Sequence, residues 1–127
     1  MTSVVRVAGF DHLVLATPDV ERSLAFYTGV LGLEGVRVAQ WRAGEVPFPS
    51  VRIDAATLID LMPDERTGVN LHHFCLVIEA ADLDALAADG RLDVASGPTD
   101  GLFGAQGYAR SLYVRDPDGN VVELRSY

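Results

Sequence analysis

Two pairs of polar residues recur at nearly the same spacing in the two halves of the 127-residue chain. His12 and His73 are 61 positions apart, and Asp60 and Glu123 are 63 positions apart. Each histidine begins an apolar segment, and each acid lies inside one, "ATLIDLMP" or "NVVELRS". Imidazole and carboxylate groups are the ligands that zinc, iron, nickel and manganese accept in proteins. The recurrence therefore favours a divalent-metal site, with His12, His73, Glu123 and Asp60 as candidate ligands.

A metal held by this ligand set keeps coordination positions open for the oxygens of a substrate. Such a metal polarises a carbonyl or enolate oxygen, and a carboxylate at its edge then removes a proton from the adjacent carbon. Glu123, or Asp60 if it is also a ligand, is the candidate for this base.

Simpler explanations exist for each of these residues. A single histidine on a strand is usually an ordinary core or surface residue, and a glutamate on a terminal strand usually faces solvent. A buried and unpaired carboxylate is costly, so something should compensate Asp60 and Glu123 within their apolar segments. A metal is one candidate, and the rival partners for Glu123 are Arg110, Arg115 and Arg125.

The elements that must position these residues also repeat. In the first half, a strand at 9–17 precedes a helix that is opened by Asp19, and a second strand follows at 34–43. The segment 51–63 is predicted to form two more strands, with a tight bend near Ala55–Ala56. The polar segment 64–70 is typical of a linker. In the second half, a strand at 72–80, a helix capped by Asp82, a strand at 91–97 and a glycine-rich loop at 98–107 precede a hairpin that turns at "DPDG". The order strand–helix–strand–strand–strand thus occurs twice.

Two neighbours of His73 are interpreted from the period of a strand. Because adjacent side chains on a strand point to opposite faces, His72 is predicted to point away from the site, toward solvent. Cys75 lies in the same apolar run and is expected to be a small buried hydrophobe.

Composition excludes several classes of protein. The net charge is −8, and the chain has no lysine, while its ten arginines are scattered, so a phosphate track for nucleic acid is not expected. No signal peptide and no membrane-spanning run is evident. A single cysteine fits a reducing compartment, and a cytoplasmic location is expected.

Three segments resemble the vicinal oxygen chelate superfamily, which includes glyoxalase I, fosfomycin and bleomycin resistance proteins and extradiol dioxygenases. They are "DHLVLATPDVERSLAFYTGVLGLE" (11–34), "NLHHFCLVI" (70–78) and "RSLYVRDPDGNVVEL" (110–124). The resemblance implies an α+β, glyoxalase-like fold in one domain, 1–127, whose two βαβββ modules, about 9–63 and 70–127, curl a pseudo-symmetric sheet around a cleft. It implies a divalent metal (Zn, Ni, Mn or Fe) at His12, His73 and Glu123, with Asp60 in the place of a fourth, acidic ligand. It also implies a homodimer.

The activities within this superfamily match the chain unequally. Glyoxalase I has an arginine at the position of Ala16, so a glutathione-linked substrate is not expected. Fosfomycin transferases have a threonine where this chain has Val14. Extradiol dioxygenases have a tyrosine ten residues before the last ligand, which Tyr113 matches, but their catalytic histidines have no counterpart here.

Three functional hypotheses follow. The first is a metal-dependent lyase or isomerase of the glyoxalase type that acts on a small oxygen-chelating substrate. The second is a binding protein of the bleomycin-resistance type that holds a drug or metabolite without chemistry, and the third is an Fe(II) extradiol-type dioxygenase. Aromatic residues from strands, loops and edges are the candidates to line the pocket: Trp41, Phe48, Phe103, Tyr108 and Tyr113.

Overall fold

The computed structural model describes residues 6, 8–69, 71–104 and 106–127. The chain divides into two compact units, Met1–Glu65 and Arg66–Tyr127, and the boundary falls within the polar segment 64–70. Each unit contains one four-stranded mixed sheet and few helices, which confirms the predicted α+β class and the βαβββ modules. Within the described ranges, every helix is too short or too polar to cross a membrane.

The first unit carries four strands and three helical segments. These are β1 (His12–Thr17), α1 (Val20–Leu24), a π-helical continuation (Ala25–Val30), β2 (Glu34–Val36), α2 (Val38–Arg42), β3 (Ser50–Asp54) and β4 (Thr57–Pro63). The sheet order is β1-β4-β3-β2, with β1 parallel to β4 and the other neighbours antiparallel. The predicted cap is present, because the side chain of Asp19 accepts a hydrogen bond of 3.0 Å from the backbone N–H of Arg22.

The predicted strand at 34–43 is wrong over most of its length. Strand β2 ends at Val36, Arg37 adopts a left-handed conformation (φ 58°), and helix α2 begins at Val38. The guanidinium of Arg37 donates to the backbone carbonyl of Phe48 at 3.1 Å and lies 4.9 Å from the centroid of its ring. This partner is eleven residues away in sequence, so the local alternation of apolar residues could not reveal the turn.

The second unit repeats the same sheet. Its elements are β5 (Phe74–Val77), α3 (Leu83–Ala87), β6 (Asp93–Gly104), β7 (Gly107–Arg115) and β8 (Val121–Ser126). The order β5-β8-β7-β6 has the same parallel and antiparallel neighbours as the first sheet. Asp82 caps α3 by accepting from the backbone N–H groups of Asp84 and Ala85, as the sequence predicted.

The predicted glycine-rich loop at 98–107 is wrong, because β6 continues to Gly104 and β7 starts at Gly107. The segment is the end of a long hairpin whose register shifts three times, the last between Thr99 and Leu102. Gly101 has a φ of 68° within this irregular stretch. The glycines here allow bulges within a strand. Because glycine is frequent both in bulges and in loops, the sequence could not distinguish the two.

The acids and the cores lie on opposite faces of their strands. On β4 the flanking Ile59 and Leu61 are buried core residues, and on β8 Val122 and Leu124 are their counterparts. Because side chains alternate along a strand, the acid between each pair points to the other face of its sheet. The packing of these neighbours therefore fixes the face of the sheet to which each candidate acid points.

Candidate metal centre

In the first unit, the parallel pairing of β1 and β4 brings His12 near Asp60. The Nε2 atom of His12 lies 3.8 Å from Oδ2 of Asp60, whose residue is only 7% exposed. Ser50 is opposite Asp60 on β3, and its hydroxyl donates to Oδ1 at 2.6 Å. On the other side of the imidazole, Nδ1 lies 2.7 Å from a carboxylate oxygen of Asp11. Both ends of this histidine–acid pair are thus held by a neighbour.

The second unit repeats this arrangement with different neighbours. The Nε2 atom of His73 lies 3.4 Å from Oε1 of Glu123, which belongs to β8. The buried hydroxyl of Ser111 donates to Oε2 of the same carboxylate at 2.8 Å, and Nδ1 of His73 lies 2.7 Å from Nδ1 of His72. Sequence reasoning missed the two serines. Their signal was the spacing, because Ser50 and Ser111 are 61 positions apart, as His12 and His73 are.

The prediction that His72 points away from the candidate site is wrong, because its ring lies against that of the candidate ligand His73. Both histidines precede β5, which starts at Phe74, so the alternation of side chains on a strand does not apply to them. His72 is exposed to solvent, as expected, but its ring meets the ring of His73 edge-on with centroids 5.0 Å apart. His72 therefore occupies the place that Asp11 has in the first unit.

Arg125 is the rival partner of Glu123 that the sequence left open. Its Nη2 and Nε atoms donate to Oε2 of Glu123 at 3.0 and 3.3 Å. The other two arginines pair elsewhere, Arg110 with Asp84 and Arg115 with Asp93. The charge of Glu123 is thus compensated within the second unit itself. In the first unit the residue two positions after the acid is Met62, which carries no charge.

The hydrogen bonds around Glu123 decide its titration. Burial by itself raises the pKa of Glu123, but hydrogen bonds from Ser111, Arg125 and Tyr113 outweigh burial and hold the pKa below its usual value. The ring of Tyr113 also meets that of His73 at 5.5 Å between centroids, and burial together with Glu123 raises the pKa of Tyr113. The second-unit carboxylate is therefore a stable anion.

His12 titrates in the opposite sense. The hydrogen bond to Asp11 raises its pKa, burial opposes that effect, and the charges of Asp60 and Asp11 add to it. His12 therefore stays protonated up to a higher pH than a free histidine does, and a metal that binds its Nε2 atom must displace a proton.

Cys75 is exposed, so the expectation that it is buried is wrong. It pairs with Glu123 across β5 and β8 and shares the face of the sheet on which that acid lies. Desolvation of the sulfur and the charge of Glu123 raise the pKa of the thiol, which keeps it protonated at neutral pH.

The five predicted lining residues differ in their surroundings. Tyr113 lies beside two candidate ligands, because its ring meets that of His73 edge-on and it pairs with Glu123 across β7 and β8. Trp41 on α2 and Phe48 are half-buried in the first unit. Phe103 and Tyr108 form a cross-strand pair in the second unit, with ring centroids 5.7 Å apart and residues 78% and 74% exposed.

Within the described residues, no group of three or more histidine, cysteine, aspartate or glutamate side chains is placed to hold a metal ion. Each unit nevertheless offers one nitrogen and one oxygen that suit a metal. Since an ionised Asp11 can only accept, a neutral His12 donates from Nδ1 and turns the lone pair of Nε2 toward the carboxylate of Asp60. Two acceptors that face each other favour a cation between them. Bonds of about 2.0–2.2 Å to one metal place two ligand atoms roughly 3–3.5 Å apart, which the 3.4 Å separation in the second unit fits and the 3.8 Å separation in the first slightly exceeds.

The chain belongs to the Glyoxalase/Bleomycin resistance protein/Dioxygenase superfamily, whose family model matches residues 9–124. This confirms the resemblance found in the sequence. The chain is 29% identical to the virulence protein STM3117 of Salmonella typhimurium strain LT2, over 92% of this chain and 83% of that protein. The crystal structure of STM3117 superposes with a TM-score of 0.69 over 97% of this chain and 99% of that one, at 26% identity.

Two further relatives broaden the comparison. The glyoxalase domain-containing protein RDO1 of Mycosarcoma maydis is 33% identical over 95% of this chain and 69% of that protein. Catechol-2,3-dioxygenase of Bacillus subtilis strain 168 is 28% identical over 98% of this chain, which spans 43% of that enzyme.

Proposed function

We propose that the protein is a divalent-metal-dependent enzyme of the glyoxalase type, a lyase or isomerase that acts on a small oxygen-chelating substrate without glutathione. The observation that carries this proposal is the repeated approach of an imidazole Nε2 to a carboxylate oxygen, at 3.8 Å in one unit and 3.4 Å in the other. Zinc, nickel, manganese and iron all accept this donor set.

The candidate metal ligands are His12 and Asp60 in the first unit and His73 and Glu123 in the second. When bound, the metal would polarise a substrate oxygen and so acidify the neighbouring C–H bond. Asp11 and His72 hold the Nδ1 side of each imidazole and leave Nε2 for the metal. Ser50 and Ser111 hold the second oxygen of each carboxylate and fix its direction.

The contacts of the two acids favour different roles. Oε2 of Glu123 already accepts hydrogen bonds from Ser111 and Arg125, which suits a permanent ligand and disfavours proton transfer. The carboxylate of Asp60 accepts from Ser50 and has no arginine two positions further along its strand. Of the two bases that the sequence allows, the contacts therefore favour Asp60, which would take the proton from carbon.

The substrate would rest against aromatic side chains. Tyr113 is the first candidate, because its ring meets that of His73 and it lies opposite Glu123 on the neighbouring strand. We include a homodimer in the proposal, and light scattering after size exclusion tests it. The remaining candidate lining residues are Trp41, Phe48, Phe103 and Tyr108.

An Fe(II) extradiol-type dioxygenase is the second candidate function. The position of Tyr113 beside a candidate histidine ligand and a candidate acid ligand favours it, as does the likeness to catechol-2,3-dioxygenase. This function predicts iron in the purified protein, oxygen consumption with catechols, and loss of activity when the iron is oxidised.

Elemental analysis of protein purified without a chelating tag tests the proposal. We expect about one Zn, Ni, Mn or Fe per chain, lost in His73→Ala and retained in Glu79→Ala, an exposed acid just beyond β5 that serves as the matched control. Zinc or nickel directs the assays to isomerase and lyase substrates, and iron directs them to catechols. If no ion binds after refilling, and His73→Ala behaves like the parent, the enzyme is ruled out and the drug- or metabolite-binding hypothesis takes its place.

A further inference from the structure

Arg125 is a buried residue, 2% exposed, whose guanidinium joins two distant parts of the second unit. Its Nε and Nη2 atoms donate to Oε2 of Glu123, at 3.3 and 3.0 Å. Its Nη1 atom donates to the backbone carbonyls of Leu102 and Gly107, at 3.0 and 3.2 Å, and Nη2 also reaches the carbonyl of Phe103 at 3.0 Å. One cation thus serves a carboxylate and three carbonyls.

These carbonyls belong to the hairpin tip, residues 102–104 and 106–108, where β6 ends and β7 begins. Tyr127 adds to the same anchor, because its hydroxyl accepts from the backbone N–H of Gln106 at 2.9 Å and its ring lies 5.3 Å from the guanidinium. The tip presents Phe103 and Tyr108, whose rings meet edge-on and are largely exposed. The cation that pairs with the candidate ligand therefore also holds the end of the hairpin that carries this aromatic pair.

We propose that Arg125 is a positioning residue that couples the carboxylate of Glu123 to the hairpin tip. A buried guanidinium is stable only while its charge is balanced and its N–H groups are bonded. If the charge of Glu123 is removed, the guanidinium turns toward water and releases the tip carbonyls. The order of the tip thus depends on a carboxylate that the tip does not itself contact.

Among its described residues, 6 and 8–65, the first unit has no equivalent of this coupling. Met62 stands two residues after Asp60, where the second unit has Arg125, and a thioether has no N–H to donate. Strand β2 has three residues, whereas β6 has twelve. The coupling is therefore specific to Glu123 and does not come with the repeated sheet.

For the proposed function, the consequence is that the metal and the aromatic pair are linked. A metal bound to Glu123 would weaken the ion pair between Glu123 and Arg125, and a ligand bound at the tip would displace the carbonyls that accept from Arg125. Both would therefore act on the same guanidinium. This consequence rests on the proposed function, whereas the coupling itself does not.

Amide hydrogen exchange by NMR on the full chain, in the presence of a chelator, tests the coupling. We expect Glu123→Gln to accelerate exchange of the amides of Phe103 and Tyr108 about tenfold, a coupling typical of residues in one hydrogen-bond network. In an Arg125→Met background the same substitution should change these rates less than about twofold. Arg115→Gln is the matched control, because Arg115 pairs with Asp93 at the opposite end of the same hairpin, and it should leave the tip unchanged.

Two outcomes would overturn the proposal. Either Glu123→Gln leaves exchange at the tip unchanged, or Glu123→Gln keeps its full effect on the tip when Arg125 is methionine. If Arg125→Met does not fold, Arg125→Lys replaces it. Lysine keeps the charge but cannot span a carboxylate and three carbonyls, so loss of the tenfold response is expected there too. Because no metal is present, failure of metal binding leaves this result untouched.

Discussion

The two units share a sheet and differ in what surrounds the acid. Both have the strand order first–last–third–second, an aspartate that caps the first helix, and a histidine, an acid and a serine in contact. The acid of the second unit has Arg125 beside it, and the acid of the first has Met62 two residues along. The imidazoles are held by His72 in the second unit and by Asp11 in the first.

This difference separates the parts of the repeat that form the candidate site from the parts that only support it. The atoms that would face a ligand are of the same kind in both halves, and a serine holds each acid. The other neighbours differ, since His72 and Arg125 stand in the second unit where Asp11 and Met62 stand in the first. The second unit fixes its carboxylate with several donors, and the first leaves its carboxylate with fewer. Substitutions at matched positions can therefore separate a fixed half from a responsive half.

Neutralising the two acids should give the largest contrast. Without metal, we expect Glu123→Gln to lower the free energy of unfolding by about 3 kcal/mol, because it leaves a buried guanidinium without its counter-charge. Asp60→Asn should lower it by less than about 1 kcal/mol, because no buried cation is left behind. Urea denaturation followed by circular dichroism measures both values. Equal losses in the two variants would show that Arg125 does not distinguish the units.

Removing the two serines should give a smaller contrast in the opposite direction. Ser50→Ala deletes a hydroxyl that donates to Asp60, and we expect a loss of roughly 1–3 kcal/mol in unfolding free energy. The affinity of the Ser50→Ala variant for Zn²⁺ should fall about 10–100-fold, as it does when other groups that orient a metal ligand are removed. Ser111→Ala should have the weaker effect on both measurements, because Arg125 still holds Oε2 of Glu123. Titration calorimetry with Zn²⁺ measures the affinities, and a larger effect of Ser111→Ala would contradict the comparison.

Acid should weaken the second unit through Glu123. Its pKa is lowered in the folded state, so its stabilising effect is fully present above the unfolded value near 4.5 and is lost as the pH falls through the folded value. Unfolding free energy measured from pH 7 to pH 3 should decline less steeply in Glu123→Gln than in the parent chain. A decline of the same slope in both would show that this carboxylate is not the group responsible.

The smallest expected effect concerns the neighbour of His12. Asp11→Asn should lower the pKa of His12 toward 6.5, because the hydrogen bond to Asp11 is the main cause that raises it. Since a raised histidine pKa stabilises the fold at low pH and is lost as the pH rises through the folded value, the variant should lose a little stability only on the acid side. An NMR titration of the His12 ring gives the pKa directly, and an unchanged value would rule out this role for Asp11.

Residue periodicity and spacing were sufficient to predict much of the fold. The caps at Asp19 and Asp82, the bend between β3 and β4 and the turn before β8 depend on neighbours in sequence, and all were predicted. The helix α2 and the long end of the β6–β7 hairpin were missed. Both depend on contacts made elsewhere, such as that between Arg37 and Phe48.

The candidate site divides in the same way. Recurrence at 61 and 63 positions singled out the two histidines and the two acids, because a repeated fold repeats the spacing of its side chains. It could not show that His72 turns toward His73, since that depends on where β5 begins.

By itself, the sequence determined the repeated modules, the family, and the four residues whose chemistry suits a metal. Tertiary structure alone decided which arginine compensates Glu123, that Ser50 and Ser111 hold the acids, and that Cys75 is exposed. The reason is physical: alternation and helical period fix the direction of a side chain relative to its own strand or helix. Which groups meet across a sheet depends on strand register and packing, which no local pattern encodes.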